Sequence, residues 1–390
     1  MKKFLSLLLS VVFALSGFAA AFALCNYALN YSQSKYEKEP PQELTELGSP
    51  NKVYFNGLSN IEKHVYNAIL SEIYDFPDSI TIPQVTEHQL RNVNSALLYD
   101  NPEIFFYGGE GQLISKLNRI SYFPEYIIPK SEYEVQKKKL DKVCDKILSS
   151  LTNPDDEWQT ELEIHDYIVD NCRYELVEGN HVYSSVYGAL VNGKAACEGY
   201  SKAAKLLLNM AGIECSVVCG DPIDSSGGAK SHMWNVVKIN GDHYYLDCTW
   251  DDPVNPEKTD EKIYHYFNVT SELISKFHTN LIGGIECTAT AENYYIKTGK
   301  YFETYDRTDE KKLVQLIADE FEKGNNTLSI CFGSFEVYNQ AYDDLVGNDR
   351  IHHIFSLASK KTDKIDIEKY LYLSEKTNVF PSINFTLKDE

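Results

Sequence analysis

The strongest pattern of hydrophobic and polar positions in the chain begins just past its midpoint, after Ala196. Apolar side chains recur there at spacings of three and four residues, at Tyr200, Ala203, Ala204, Leu207, Leu208 and Ala211. This periodicity places them on one face of a helix, and such a face is buried against the rest of a domain. Gly212 suits the position after a helix, because glycine readily adopts the left-handed conformation common there. The pattern therefore predicts a buried amphipathic helix over about 196–211.

A strand and a hairpin are predicted directly after this helix. Apolar and polar positions alternate over 213–219, which is typical of a strand. Two further runs, 233–239 and 243–249, flank Asn240-Gly241, a residue pair typical of a two-residue hairpin turn. The helix and these strands together predict a packed helix-on-sheet core.

Capping signals and apolar spacing predict further elements on both sides of this core. Thr86 and Gln89, three residues apart, form a capping box. Before the core, the predicted elements are helices over about 59–74, 86–101, 131–150 and 155–171, with short aromatic strands between 104 and 126. After the core, they are a helix over 309–323, a strand over 328–332, a helix near 335–345 and strands near 351–356 and 370–373.

These elements predict an α+β protein with a small α/β domain at its C-terminal end. The expected segments are a hydrophobic segment over 1–24, a linker over 25–50, a mostly helical region over 51–130, a core over 131–296 and an α/β domain over 297–390.

The N-terminal segment is either a signal peptide or an uncleaved membrane anchor. Lys2-Lys3 precede a run without charge from Phe4 to Leu24, and small residues offer a cleavage site after Ala23. With the lysines kept inside, both alternatives predict that the rest of the chain is extracellular or on the cell surface. Contact with the membrane is expected only through this segment.

Charge and cysteine content exclude several classes of function. The net charge of −20 repels phosphate backbones, so no nucleic-acid partner is expected. The nine cysteines include no C-x-x-C pair and no Cys/His cluster at zinc spacing. Asp251, Asp252 and Glu257 lack the spaced oxygen ligands of a calcium loop and are expected to form a turn. We therefore predict no metal and no cofactor.

Cys197 is the candidate nucleophile, because it lies at the start of the predicted amphipathic helix. Free N–H groups and the helix dipole stabilise a thiolate at this position, and the thiolate is the attacking form of cysteine. The alternative is that Cys197 is simply a small buried residue of the core.

His232 and Asp247 are the candidate base and its orienting carboxylate. With a two-residue turn at Asn240-Gly241, Ile239 pairs with Asp242, and Asp247 becomes a diagonal neighbour of His232 on one face. Diagonal neighbours lie about 7 Å apart or somewhat less between Cβ atoms, which allows a carboxylate to reach an imidazole. A polar strand edge is the alternative reading of the two residues.

Three sequence runs closely resemble the transglutaminase-like superfamily in its bacterial exported form. They are ALVNGKAACEGYSKAAKLLLNMAGIEC, SHMWNVV and HYYLDCTWDDP, and the run YHYFNVTSELISKFH over 264–278 resembles it more loosely. The resemblance implies a papain-like core with the cysteine on a helix and the histidine and aspartate on a sheet. It also implies a triad of Cys197 as nucleophile, His232 as general base and then acid, and Asp247 as orienter.

The remaining parts of the expected site are less defined. Residues 176–196 contain no glutamine to complete an oxyanion hole, so Asn192 and Tyr187 are candidate donors beside the backbone N–H of Cys197. Trp234 and Trp250 either wall the cleft or belong to the core. His165 is expected to be structural.

The predicted function is that of an exported cysteine-dependent acyl-transfer enzyme acting on peptide or carboxamide bonds through a thioester. We favour hydrolysis, as in a protease or amidase, over cross-linking. The alternatives are a transglutaminase acting on protein glutamine and a non-catalytic surface module that keeps the fold. The expected substrates are peptides or proteins of the cell envelope, including cell-wall peptides.

Overall fold

The computed structural model is that of an α+β protein, as predicted. It describes residues 23–24, 26–39, 41, 44, 51–116, 119–223, 231–252, 262–325, 327–366, 370–373 and 380–388. The hydrophobic residues 4–22 and the possible calcium ligand Glu257 lie outside these ranges. Among the residues that are described, no helix combines the length and the apolar character needed to cross a membrane.

The helices follow the predicted capping signals closely. The first six are α1 (Val53–Gly57), α2 (Asn60–Ile73), α3 (Glu87–Asp100), α4 (Lys130–Ser149), α5 (Glu157–Asn171) and α6 (Cys197–Met210). The later ones are α7 (Ser271–Ile274), α8 (Tyr294–Lys297), α9 (Glu310–Glu322), α10 (Phe335–Tyr342) and α11 (Arg350–Ala358). Thr86 and Gln89 form the expected capping box at the start of α3. Gly212 has a φ of +87°, as the end of α6 requires.

The strands form three larger sheets and one short pair. They are β1 (Ile80–Ile82), β2 (Tyr107–Lys116), β3 (Arg119–Tyr126), β4 (Arg173–Tyr174), β5 (Lys194–Ala195), β6 (Cys215–Pro222), β7 (His232–Ile239), β8 (Asp242–Leu246), β9 (His278–Ile282), β10 (Tyr301–Phe302), β11 (Thr327–Phe332), β12 (Tyr370–Leu373) and β13 (Ser382–Lys388). Among the described residues, the sheet orders are β1-β3-β2, β8-β7-β6-β9 and β10-β11-β13-β12, and β4 pairs with β5 in parallel.

The described residues fall into two compact units. The first contains the residues up to Val236 together with Thr279–Gly284, and the second contains Val237–His278 together with the residues from Ile285 onward. In the first unit, α2 and α3 pack with the sheet of β1 to β3 around an apolar core. In the second, α9 and α11 pack together, and α9 also packs on β11. The predicted boundaries at 130 and 296 stay predictions.

Part of the predicted linker belongs to the first unit. Residues 26–36 are helical, and Ser32 is buried with its hydroxyl oxygen accepting the backbone N–H of Gln84 at 3.0 Å. The Gln33 side chain exchanges hydrogen bonds with Gln89. This part of the predicted linker therefore packs on the first unit, because Ser32 and Gln33 form hydrogen bonds with residues at and just before the start of α3.

Two elements differ from the sequence prediction. The return strand β8 ends at Leu246 instead of reaching Thr249, because the Asp247 carboxylate accepts backbone N–H groups and turns the chain. The segment 351–356, predicted as a strand, belongs to helix α11. Its apolar residues recur at helical spacing and are buried, at Ile351, Ile354, Phe355 and Ala358.

We expect Gly199→Ala to destabilise the protein by about 1–3 kcal/mol, the usual cost of overpacking. A Cβ at this position would lie 2.6 Å from the Ala195 Cβ and 2.8 Å from the Tyr183 carbonyl oxygen, and neither atom belongs to a flexible side chain. Gly57→Ala is the matched control, because nothing lies within 4 Å of its Cβ position. Urea denaturation of both variants measures the effect, and an equal change in the two midpoints would contradict this packing argument.

Candidate active site

Cys197 is the first residue of α6, and the chain in front of it is held by backbone hydrogen bonds. The Ala196 N–H donates to the Tyr183 carbonyl at 2.8 Å, and the Glu175 N–H donates to the Ala195 carbonyl at 2.9 Å. Ala196, the residue before the helix, provides no side-chain cap. The N–H groups of the first turn therefore donate to no side chain of the capping residue, and they point towards the end of the helix at which Cys197 lies.

Side-chain hydrogen bonds tie the start of α6 to strands β6 and β7. The Ser201 hydroxyl lies 2.8 Å from the carbonyl oxygens of both Cys197 and Met233. The Asn235 amide donates to the Ser201 carbonyl at 2.9 Å and to the Ser216 carbonyl at 3.3 Å. All these partners belong to the first unit, so the backbone of the candidate nucleophile is fixed against the sheet.

Exposure separates Cys197 from the other described cysteines. Its thiol is half-buried, whereas the other seven, Cys144, Cys172, Cys215, Cys219, Cys248, Cys287 and Cys331, are buried. Burial raises the pKa of Cys144, Cys215, Cys287 and Cys331 to about 12, because a thiolate loses its hydration there. Cys197 is therefore the thiol of this group best placed to react with a molecule from solution.

Two tyrosines that no sequence pattern singled out pack against the same buried cluster as Cys197. A buried cluster of Val217, Cys219 and Met233 has Cys197, Tyr54 and Tyr99 packed against it as partly buried members. Both tyrosines come from the region before residue 130, which carries no recognisable motif. Only the folded chain brings them to the cluster against which Cys197 packs.

His232 is the first residue of β7 and is buried in the first unit. Its ring stacks on that of Trp234, with centroids 5.6 Å apart and planes 20° apart, as expected for residues on one face of a strand. Trp234 is fully buried, and its ring lies 2.7 Å from the Cβ position of Gly220. Its environment favours the core role over that of a cleft wall.

Asp247, in the second unit, follows β8 and organises the turn after it. Its Oδ1 accepts the N–H of Thr249 at 3.0 Å and of Trp250 at 3.1 Å. Its own N–H donates to the Tyr266 carbonyl at 3.1 Å. Because Oδ1 accepts both of these bonds, the orientation of the carboxylate is fixed.

The turn that follows Asp247 packs on, and is hydrogen-bonded to, other residues of the second unit. Trp250 is half-buried and stacks on His278, with ring centroids 4.2 Å apart. No sequence motif had marked His278 as a candidate site residue. Asp251 is fully buried, and its Oδ1 accepts the Tyr266 N–H at 3.0 Å. Asp251 and Asp252 lie in a bend, whereas Glu257 lies outside the described residues, and the Asp251 carboxylate holds this bend to the segment around Tyr266.

The two weaker oxyanion candidates lie in or beside a π-helical turn over Gly188–Asn192. The Tyr187 ring is buried and stacks on Phe105, with centroids 5.9 Å apart, whereas Asn192 is exposed. Their role as donors stays a prediction. His165 is buried in α5 with its Nδ1 lying 3.1 Å from the Asp166 carboxylate, a placement that suits a structural role.

Comparisons with known proteins agree with the predicted family. The family model of the transglutaminase-like superfamily matches residues 142–248, a segment that contains Cys197, His232 and Asp247. No curated protein matches the chain.

Several solved structures resemble parts of the chain. A structure described as a TGase has 16% identity and a TM-score of 0.26, covering 45% of this chain and 51% of its own. A candidate cysteine protease from Cytophaga hutchinsonii has 13% identity and a TM-score of 0.24, covering 36% and 61%. A candidate protease from Parabacteroides distasonis has 15% identity and a TM-score of 0.20, covering 35% of each chain.

This chain thus matches between about a third and three fifths of the length of those structures. The assignment rests on the family match, on the predicted motifs that lie inside it, and on the α+β arrangement of helix α6 with its strands. Residues 142–248 are therefore a domain of the transglutaminase-like superfamily.

Proposed function

We propose that this protein is an exported cysteine-dependent acyl-transfer enzyme with Cys197, His232 and Asp247 as its catalytic triad. The observation that carries the proposal is the position of Cys197. It is the half-buried thiol among the described cysteines, and it lies at the N-terminus of the central helix of a transglutaminase-like domain.

The proposed reaction begins with attack of the Cys197 thiolate on the carbonyl carbon of a peptide or carboxamide. A sulfur–carbon bond forms, the carbon–nitrogen bond breaks, and the protonated His232 gives its proton to the leaving amine. The backbone N–H groups at the start of α6 are suited to stabilise the oxyanion of the tetrahedral intermediate. Water then hydrolyses the thioester in a protease or amidase, whereas an amine replaces the thiol in a transglutaminase.

The hairpin of β7 and β8 supports Asp247 as the residue that orients His232. Asn240 and Gly241 have φ values of +53° and +95°, which fits the predicted two-residue turn. The two strands are neighbours in their sheet. A turn of this length predicts that Ile239 pairs with Asp242, and the proposed role of Asp247 rests on this predicted register.

We favour hydrolysis over cross-linking. An amine substrate arrives as an ammonium ion, and a free carboxylate beside the nucleophile would attract it. Glu198, the residue after Cys197, is instead paired with Lys202 at 2.6 Å. The cluster against which Cys197 packs is apolar.

Export and substrate class remain part of the proposal. Lys2-Lys3 and the uncharged run after them motivate a signal peptide or anchor and, with it, a site of action at the cell surface. Peptides and proteins of the cell envelope, including cell-wall peptides, are the substrates proposed there. A non-catalytic surface module with the same fold is the rival, and the reactivity of Cys197 distinguishes the two.

We expect Cys197 to react with iodoacetamide faster than the other described cysteines near neutral pH, because its thiol is half-buried at a helix start. Cys144 is the internal control, since burial raises its pKa to about 12. Mass spectrometry of tryptic peptides after short labelling times measures both rates. Faster labelling of Cys144 than of Cys197 would contradict the assignment of the nucleophile.

We expect Cys197→Ala to abolish the release of amine from a peptide-amide library and to keep the fold, because the substitution removes only a half-buried sulfur. Cys144→Ala, at a buried cysteine of α4, is the matched control and should keep most of the activity. Intact-protein mass spectrometry should also detect an acyl adduct on the native chain and none on Cys197→Ala. If the Cys197→Ala variant still releases amine, the proposed mechanism is wrong.

We expect Asp247→Asn to lower kcat by a factor of 100 or more while the fold is kept. The amide oxygen can still accept the N–H groups of Thr249 and Trp250, but the charge that stabilises the imidazolium is lost. Asp242→Asn is the matched control, since Asp242 is exposed on the same strand. Asp251 is a poor control because it is buried. Equal losses in the Asp247 and Asp242 variants would mean that the orienting residue lies elsewhere.

A further inference from the structure

The residues around Cys197 in the first unit indicate which substrate side chains the proposed enzyme would bind, which the proposed triad does not. Cys197 packs against the buried cluster of Val217, Cys219 and Met233, and the partly buried residues Tyr54 and Tyr99 pack against the same cluster. Every member of this cluster is apolar, aromatic or sulfur-containing. A substrate group lying against it would leave water for an apolar surface.

The hydroxyl groups of the two tyrosines are engaged in contacts within the protein. The Tyr54 hydroxyl donates towards the Val217 carbonyl at 3.1 Å and lies 3.2 Å from the Ile282 carbonyl. The Tyr99 hydroxyl interacts with the Cys219 sulfur. Because these polar atoms are engaged, the part of each side chain left for a ligand is its ring.

The two rings are also held rigidly. Their centroids lie 5.0 Å apart with planes 58° apart. The Tyr54 N–H donates to the Asp100 carboxylate at 3.1 Å, which fixes α1 to the end of α3. Gly283, with a φ of +79°, leaves room for the Tyr54 hydroxyl, because a Cβ there would lie 2.5 Å from it. A rigid ring pair loses little entropy on binding, which suits a specificity pocket.

We propose that Tyr54 and Tyr99 form a specificity wall that selects substrates with a bulky apolar or aromatic side chain next to the carbonyl attacked by Cys197. The inference rests on the proposed function, because it requires Cys197 to be the nucleophile. The wall comes from the region before residue 130, outside the segment 142–248 that matches the superfamily. It is therefore a property of this chain that the family match does not supply.

The test compares two covalent probes that differ only in one side chain, N-acetyl-phenylalanine and N-acetyl-alanine chloromethyl ketones. In each, the thiolate displaces chloride and forms a sulfur–carbon bond, so no turnover and no known substrate are required. Second-order rates of labelling at Cys197 are measured on the full chain by mass spectrometry and divided by the iodoacetamide rate. We expect the phenylalanine probe to react about tenfold faster or more, the usual range for apolar pockets.

Variants of Tyr99 test whether its ring causes the difference between the two probe rates. Tyr99→Ala should bring the ratio of the two probe rates, each divided by the iodoacetamide rate of the same variant, close to one, whereas Tyr99→Phe should keep the ratio. If Tyr99→Ala fails to fold, Tyr99→Gln makes the same test, since it keeps much of the volume but replaces the ring with an amide.

The outcomes separate this inference from the proposed function. A ratio near one in the native chain, or a ratio unchanged in the Ala or Gln variant, overturns the specificity wall while Cys197 stays the nucleophile. A Cys197 that resists iodoacetamide while buried cysteines react overturns the proposed function, and the inference falls with it.

Discussion

The burial of helix α6 is the constraint on which the proposed active site depends. Its inner face is inaccessible to solvent along most of its length, at Tyr200, Ala203, Ala204, Leu207 and Leu208. Fully burying a leucine-sized side chain contributes about 1.5–3 kcal/mol, so this packing strongly holds the helix in place. A helix enclosed in this way can present a reactive group mainly at its ends. The N-terminal end carries Cys197, where the helix dipole favours negative charge and Ala196 provides no side-chain cap.

A buried charge joins this helix to the region that precedes the superfamily domain. Lys205 of α6 is fully buried, and its ammonium group donates to the Asn51 carbonyl at 2.9 Å. Burial lowers the pKa of Lys205, while the nearby Asp100 carboxylate opposes this effect. Burial also raises the pKa of Asp100 to about 6. Such groups are costly to bury unless they compensate one another, so the pair favours one placement of α1 and α3 on α6.

Periodicity and capping chemistry made much of the fold predictable. The apolar spacing after Ala196 predicted α6, and the Asn240-Gly241 pair predicted the turn between β7 and β8, because both signals are local in the chain. The two errors arose where a local pattern was ambiguous. Residues 351–356 have apolar residues that fit either periodicity over a short run, and the end of β8 depends on the Asp247 carboxylate accepting backbone N–H groups.

The candidate site was predictable only where its residues sit in recognisable motifs. Cys197, His232 and Asp247 stood out because residues suited to be nucleophile, base and orienting carboxylate occur in this order on a predicted helix and hairpin. Tyr54, Tyr99 and Lys205 could not be found in this way. Their positions follow from long-range packing, and neither a tyrosine at a helix end nor a lysine within an amphipathic helix differs in sequence from an ordinary surface residue.

In the proposed enzyme, the superfamily domain supplies the reactive thiol and the region before it supplies the residues that select the substrate. The reactive group needs only the end of one buried helix and its strands, and these lie within the 142–248 match. The groups that would discriminate between substrates come from α1 and α3, held against α6 by Asp100 and Lys205. Selectivity can then change through substitutions in the preceding region while the packing that exposes Cys197 stays the same. The physical reason is that the burial of α6 depends on its own apolar face, whereas the wall depends on two rings that other elements contribute.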